Sequence, residues 1–446
     1  LTNLTQTAPD TIVSAKEGVT ITTLPNGLRV VSAVRPTPGE VQVTVYTKVG
    51  ARNETSELNG ITHYLEHVLF KGTKHRNVKE IAEQIEVLGG YVNAATGKAA
   101  TSYLVEGLSE HMEKSVEILA DIVCHATFPM DEIEREKGVV CEEIAEYGDK
   151  ISHIARAQLD LTAYGNTPLG REILGTSENV MSFTQDDLFN YVKTFYHPEH
   201  MLLIAAGDVD HDALVAMGEK YFGHLERAPA VAIEPAQYVG GVTIHEDDRF
   251  EQSHMYVAFP APGSIDLSLT KYAMLANVLG GGMSSPLFQN TRERKALCYS
   301  VGSGLLRNAD LSLFVIKGSA STGNVVEFLK TAISELVRIA QGEVTEADWT
   351  RSRNQIILQQ LSQNRNPDYV TDSVATQLFA KGEAESDQVL LDRYRSVTRD
   401  EVIEAAQELL SSISPTLVVA GGIPEGIDFE TLFTDALHGA YVEETK

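Results

Sequence analysis

The chain is poor in cysteine, in cations and in long apolar runs, and each shortage excludes something. Its 446 residues include three cysteines: Cys124, Cys141 and Cys298, far apart and with no C-x-x-C pair. That spacing suggests no disulfide framework, and the odd count leaves one thiol over. A reducing compartment, the cytoplasm, is the expected location, with a bacterial periplasm as the alternative. Lys and Arg total 36 against 62 Asp and Glu, a formal net charge of −26. A phosphate backbone would be repelled, so nucleic acid is not an expected partner. The same balance suits a cationic or neutral substrate, although acidic surfaces also simply keep proteins soluble. No apolar run approaches the ~18 residues that a membrane span needs. The opening stretch, LTNLTQTAPDTIVSAKEG, carries neither an Arg-rich amphipathic pattern nor a basic-then-apolar signal. It starts with Leu rather than Met, which leaves open that a targeting segment was removed or the chain trimmed.

What is present is an ordinary globular composition, 43% hydrophobic, over a length that implies two or more domains. VTITTLPNGLRVVSAV reads as two β-rich runs around Asn26-Gly27, a hairpin signal. EVQVTVYTKVG follows as a third strand, with Val41, Val43 and Val45 alternating. Helical patterns cover 60–70, 76–88, 109–125 and 129–163, and GGYVNAATGKAATSYLVEGL reads as strand, turn and strand. Helices mixed with mostly antiparallel strands give an α+β fold.

The chain also repeats itself. SFTQDDLFNYVKTFYHPEHMLLIAAGDV at 182–209 aligns without a gap on SVTRDEVIEAAQELLSSISPTLVVAGGI at 396–423. Ser182 matches Ser396, Thr184 matches Thr398, Asp186 matches Asp400, and Ala206-Gly207 match Ala420-Gly421. Each copy reads as a Thr-capped helix leading to an apolar strand, which any capped helix before a buried strand would also give. The similar placement near the end of each half favours duplication. ERAPAVAIEPAQYVGG, residues 226–241, is rich in Pro, Ala and Gly and reads as a linker. The expected division is therefore an N-terminal half over 1–225, the linker, and a related C-terminal half over 242–446.

The chemistry centres on GITHYLEHVLFKGT, residues 60–73. On a helix, His63 and His67 lie one turn apart on one face and can bite a single metal ion. Neutral imidazoles suit zinc, which in catalytic sites takes a third protein ligand and keeps one position open. Glu66 projects close to that face and can act as general base toward an attacking water. The order H-x-x-E-H is the inverzincin signature, but a pentapeptide can equally be a solvated helix face. Support comes from DEIEREKGVVCEEIAE at 131–146, acidic and helical, where Glu136 and Glu143 are seven apart and share a face. Periodicity alone does not choose among Glu132, Glu134, Glu136, Glu142, Glu143 and Glu146. The other histidines, including His75, His111, His153, His197 and His245, lack ligand spacing and read as surface or satisfied core residues.

HYLEHVLFKGTKHR, LGGYVNAATGKAATSYLVEGL, IEREKGVVCEEI and TAYGNTPLGREILGT occur in the order and spacing of the pitrilysin-type zinc metallopeptidases. That family includes insulysin, pitrilysin and the mitochondrial processing peptidase. The chain most resembles bacterial peptidases similar to the processing peptidase β subunit, over nearly its whole length. The resemblance implies that His63, His67 and Glu143 bind one Zn2+ per chain, that Glu66 is the general base and that Glu136 supports the site. It implies two similar halves facing one another as a clamshell around a chamber, each split into two related domains. NTRERKALCYSVGSG supplies Arg292 and Tyr299 at the separation at which the family uses an Arg and a Tyr to hold substrate or the reacting carbonyl. Pattern alone would make them a surface cation and a core strand residue. Cys298 stands where relatives often have Gly or Ala, so a local packing change is expected there. Asn93, Ala94 and Ala95 match the edge strand that the family offers to an extended peptide.

The resulting expectation is a zinc endopeptidase acting on unfolded peptides or leader segments and pairing as a homodimer. Three rivals stand beside it. One is a catalytic subunit that requires a different, related chain. Another is a non-catalytic scaffold, which the full set of zinc residues opposes. The third is zinc-dependent hydrolysis of a non-peptide substrate.

Overall fold

The Asn26-Gly27 signal closes a hairpin in the computed structural model, which describes residues 10–229 and 233–442. Gly27, at φ 92°, donates its N–H to Leu24 O at 2.8 Å, and Leu24 N–H donates to Leu28 O at 2.8 Å. The strands on either side, β2 and β3, belong to a seven-stranded sheet. It comprises β1 (Asp10–Val13), β2 (Val19–Thr23), β3 (Arg29–Val34), β4 (Glu40–Thr47), β5 (Tyr91–Thr96), β6 (Thr101–Leu108) and β7 (Met201–Gly207). The order is β1-β2-β3-β7-β4-β6-β5, and only the β3–β7 pair is parallel. A five-stranded sheet holds β8 (Gly241–Glu246), β9 (Gln252–Pro262), β10 (Cys298–Leu306), β11 (Leu311–Ser321) and β12 (Thr416–Gly421). Its order is β10-β11-β9-β12-β8, and only β12–β8 is parallel.

The two sheets repeat one plan. The series β3-β7-β4-β6-β5 has the same connectivity and the same strand directions as β8-β12-β9-β11-β10. The aligned segments 182–209 and 396–423 supply corresponding parts. Thr184 caps the helix Gln185–Phe195 in a reciprocal box with Asp187, and Thr398 caps Arg399–Leu410 in a box with Glu401. The strand that follows ends in each case at a glycine, Gly207 with φ 121° and Gly421 with φ 114°. A Cβ there would lie 2.4 Å from Glu40 O in the first copy and 2.2 Å from Gln252 O in the second. Both positions therefore require glycine. Strands β1 and β2 occur only in the first sheet.

The described residues divide into two compact units that do not follow the order of the chain. One is drawn from residues up to 144, 172–234 and 361–387; the other from 145–171, 235–360 and 388 onward. The reason is visible in β4, whose residues 41–47 are all buried. Val41, Val43 and Val45 share a core with Ile61, Leu65, Val116 and Leu119 of the helices Ile61–Leu69 and Met112–His125. Tyr46 on the opposite face joins Leu202, Ile204, Val370, Val374 and Leu378. The last three belong to the helix Pro367–Lys381, far along the chain. Tyr46 Oη also hydrogen-bonds Thr371 Oγ1 at 3.1 Å and Asp372 Oδ1 at 2.5 Å.

The second sheet is covered in a corresponding way. The helical pattern over 129–163 is not one helix: it divides into Met130–Gly148 and Ile151–Tyr164. Gly148 has little helix preference, and Lys150 is extended at φ −115° and ψ 106°. After that break, Leu159, Ala163 and Tyr164 pack with Ala258, Leu313 and Val418 of the five-stranded sheet. Of the stretch 226–241, residues 230–232 lie outside the described residues, and the rest up to 240 forms neither helix nor strand. Among the described residues, no helix is long and apolar enough to cross a membrane.

Candidate active site

The helix Ile61–Leu69 turns Ile61, Tyr64, Leu65, Val68 and Leu69 into the core, none more than 1% exposed. Its first turn lacks a side-chain cap because Gly60 precedes it, at φ 98°, where a Cβ would meet Leu174 O at 2.5 Å. Glu54 takes that role from a short turn upstream. Its Oε2 accepts from Gly60 N at 2.8 Å and Asn59 Nδ2 at 2.9 Å, and its Oε1 accepts from Thr62 N at 2.9 Å. A carboxylate suits the positive end of the helix dipole. Glu54 stands six residues before Gly60, outside capping-box spacing, so no sequence signal marked it.

On this helix His63 and His67 lie one turn apart, with ring centroids 4.8 Å from one another. The acidic helix Met130–Gly148 is pinned against it by Tyr64, whose buried hydroxyl donates to Ile133 O at 2.6 Å. That packing brings Glu143 Oε2 to 3.6 Å from His63 Nε2 and 3.5 Å from His67 Nε2. The three donor groups all lie within 4.8 Å of one another. Donors sharing one tetrahedral ion at bonds of ~2.0–2.2 Å stand roughly 3.4 Å apart, so two imidazoles and a carboxylate at these distances fit zinc. The other glutamates of the helix lie elsewhere: Glu132 pairs with Arg135, Glu134 with Lys137 and Glu146 with Lys150, and Glu142 is exposed.

Glu136 stands behind the trio, 4% exposed. Its Oε1 accepts from His67 Nδ1 at 3.0 Å, and its Oε2 takes Lys71 Nζ at 2.8 Å. Donation through Nδ1 leaves Nε2 of a neutral His67 free to ligate. Burial opposes ionisation of Glu136, but the hydrogen bonds and charges of His67 and Lys71 hold its carboxyl below the usual range. Burial and the neighbouring His67 push His63 down to about 4, which keeps it in the neutral, ligating form. Burial also disfavours charge on His67, yet the hydrogen bond to Glu136 and the surrounding carboxylates raise it overall.

Glu66 lies outside the trio. Its Oε2 accepts a short hydrogen bond from Thr96 Oγ1, at the end of β5, which ties the carboxylate to the sheet edge. Burial raises the Glu66 carboxyl against the opposing effects of Thr96 and His67. Strand β5 is an outer strand of the seven-stranded sheet and carries Asn93, Ala94 and Ala95, of which Asn93 and Ala95 are exposed. Sequence reasoning singled out neither Thr96 nor Lys71. Lys71 follows His67 by four, but the helix ends at Leu69, so helical spacing did not assign it.

Arg292 and Tyr299 belong to the other compact unit. Arg292 lies in a π-helical turn, Phe288–Arg294, with its guanidinium carbon 4.8 Å from the Phe288 ring centre and 5.1 Å from that of Tyr299. Tyr299 is on β10, an outer strand, and at 80% exposure it is not a core residue. Cys298 beside it places its Sγ 3.4 Å from Thr291 Oγ1.

Comparison with known proteins matches residues 29–177 to the family described as insulinase (peptidase family M16) and residues 182–356 to the peptidase M16 inactive domain. A protein of Rickettsia felis named an uncharacterized zinc protease is 33% identical over 405 residues, 91% of this chain and 98% of that protein. The chain belongs to the M16 family. Within it, an uncharacterized zinc protease of Bacillus subtilis is 35% identical over 75% of this chain and 81% of its own length. The human mitochondrial-processing peptidase subunit beta is 31% identical over 96% of this chain and 89% of its own. A solved protease structure from Helicobacter pylori shares the fold with a TM-score of 0.83, covering 93% of this chain and 100% of that one at 23% identity. Family and relatives together support a metallopeptidase. The H-x-x-E-H residues of the Ile61–Leu69 helix have no chemical counterpart at Leu269–Gly280, LTKYAMLANVLG, which carries neither His nor Glu.

Glu54→Ala leaves the first N–H groups of the Ile61–Leu69 helix without their acceptor. It is expected to lower stability by about 1–3 kcal/mol, with Glu54→Gln less severe because one acceptor oxygen remains. Urea unfolding of the three proteins, followed by circular dichroism, reads the difference.

Proposed function

We propose that this protein is a zinc endopeptidase that hydrolyses extended segments of unfolded peptides or leader sequences. The observation that carries the reading is the meeting of His63, His67 and Glu143 at mutual ligand distances, with Glu66 on the same helix and outside the trio. Zinc held by those three residues would supply a Lewis acid that polarises the scissile carbonyl and acidifies an attacking water.

The chain's own groups account for the rest. Glu66 takes the proton of the attacking water and passes it to the departing amine nitrogen. Thr96 fixes the Glu66 carboxylate through its Oε2. Glu136, held by Lys71, keeps the His67 ring in its ligating orientation. An outer strand has unpaired backbone groups, so β5 receives a peptide by strand addition along Asn93, Ala94 and Ala95 with little demand on its sequence. Arg292 and Tyr299 are assigned, through the family resemblance and their mutual stacking, to hydrogen bonds with the substrate as charge develops on the carbonyl oxygen.

The proposed assembly is a homodimer with one catalytic zinc per chain. The match to proteins named as a peptidase subunit favours a second reading, in which a different, related chain is required. Native mass spectrometry of protein from its source distinguishes two copies of this chain from a mixed pair.

Glu66→Gln is expected to lower peptide hydrolysis by roughly 10²–10⁴-fold while retaining zinc. Mass spectrometry of an unstructured peptide library alongside metal quantification checks both, and a zinc-loaded mutant cutting at the wild-type rate would falsify the proposed role. Tyr299→Phe, which removes one donor and keeps the ring, is expected to reduce kcat by about 10²-fold with zinc content unchanged. Steady-state kinetics on one cleaved peptide reads this, and an unaltered kcat removes Tyr299 from the chemistry.

A further inference from the structure

A second convergence of metal-binding side chains lies in the first compact unit, sharing no residue with the His63, His67 and Glu143 trio. Asp121 and His125 sit one turn apart at the end of the Met112–His125 helix, and His75 comes from the loop after the Ile61–Leu69 helix. Their donor atoms all lie within 4.8 Å of one another. The loop is fixed to the helix independently: Lys74 N donates to His125 O at 2.9 Å, and Thr73 Oγ1 donates to Asp121 Oδ2 at 2.6 Å.

The Asp121 carboxylate is asymmetric. It is 3% exposed, and its Oδ2 is engaged by Thr73 and by Arg76 Nη1 at 2.6 Å. Its Oδ1 is buried and accepts no hydrogen bond, and His125 Nδ1 is buried and unpartnered as well. The two stand 3.4 Å apart, too far for a good hydrogen bond between them, and His75 Nε2 is 4.0 Å from the same oxygen. Buried polar atoms are rarely left in this state. The His125 ring offers its Nδ1 on the same side as that Asp121 oxygen. His224 stacks on its face, 5.5 Å between centroids.

We propose that His75, Asp121 and His125 form a second binding site for a divalent transition metal, with Zn2+ the expected ion. One ion would satisfy both unpartnered atoms. Two imidazole nitrogens and one carboxylate oxygen suit zinc, whereas calcium and magnesium call for oxygen-rich sets. Thr73 and Arg76 hold Oδ2 and so aim Oδ1, the supporting arrangement that ligating carboxylates commonly have. Asp121 and His125 offer the same one-turn bite as His63 and His67, but the third donor arrives through a loop, so spacing gave no sign of it. A bound ion would fasten the loop that also carries Lys71, the cation paired with Glu136.

Zinc binding by equilibrium dialysis with elemental quantification tests this in the intact chain. The expected result is two equivalents for the wild type, one for His75→Ala/His125→Ala and one for His63→Ala/His67→Ala. Wild-type zinc content in His75→Ala/His125→Ala, or no zinc in His63→Ala/His67→Ala, overturns the proposal. Failure of the catalytic-zinc reading looks different, because zinc content would then be insensitive to His63→Ala/His67→Ala. Since His125 is partly buried, His75→Ala alone serves as the second variant; its side chain is 63% exposed. Cobalt loaded into His63→Ala/His67→Ala should give a visible ligand-field absorption that disappears when His75→Ala is added, and its persistence also overturns the proposal.

Discussion

Glu136 is buried and ionised, and a carboxylate taken that far out of water is tolerated only when both oxygens find partners. Here one oxygen takes the His67 imidazole and the other the Lys71 ammonium. The three residues come from one helix, the loop that leaves it and a second helix, so this charge balance fixes the position of the acidic helix against the H-x-x-E-H helix. Tyr64 sets the same register from the apolar side through its bond to Ile133 O. Glu143, two turns beyond Glu136, then reaches both Nε2 atoms without a direct hydrogen bond of its own to fix it. The geometry of the candidate zinc trio is in this sense a by-product of satisfying the carboxylate behind it.

Much of the site was legible because it is local. His63 and His67 share a helix face by the 3.6-residue period, and Glu136 and Glu143 do so by a separation of seven. Which glutamates of the acidic helix turn inward was not legible. Val139 and Val140 are adjacent and point the apolar stripe in two directions; the fold buries Val140 completely and leaves Val139 46% exposed. Only that choice turns Glu136 inward and leaves Glu132, Glu134 and Glu146 to local ion pairs. Glu54 and Thr96 were invisible for a related reason, since each reaches its partner across a turn or a sheet edge rather than along a helix. Tyr299 illustrates the opposite case: by pattern alone an aromatic in a β-rich run suggests core, but on the outer strand β10 it is 80% exposed.

At the level of the fold, the hairpin at Asn26-Gly27, the mostly antiparallel α+β character and the two capped-helix repeats were all carried by short-range patterns. The break at Asp149–Lys150 was not, because amphipathic periodicity runs through it on both sides. Nor does an amphipathic helix state which sheet it will cover. Val370, Val374 and Leu378 form a plain apolar stripe, and nothing in it names β4 and β7 as its destination.

That destination has a consequence for how the protein is made. The seven-stranded sheet is complete in sequence by residue 207, yet one of its faces stays bare until residues 367–381 have been synthesised. A nascent chain must therefore keep Leu202, Ile204, Ala206 and their neighbours from other apolar surfaces while some 160 further residues emerge. The helix Ile151–Tyr164 has the converse history: it appears early and waits for strands β8, β9 and β12. Contacts of such long sequence separation fold slowly, and the intermediate exposes sheet faces of the kind that chaperones bind. The halves of this chain can be read as a duplication, but each compact unit of the fold draws on residues from both.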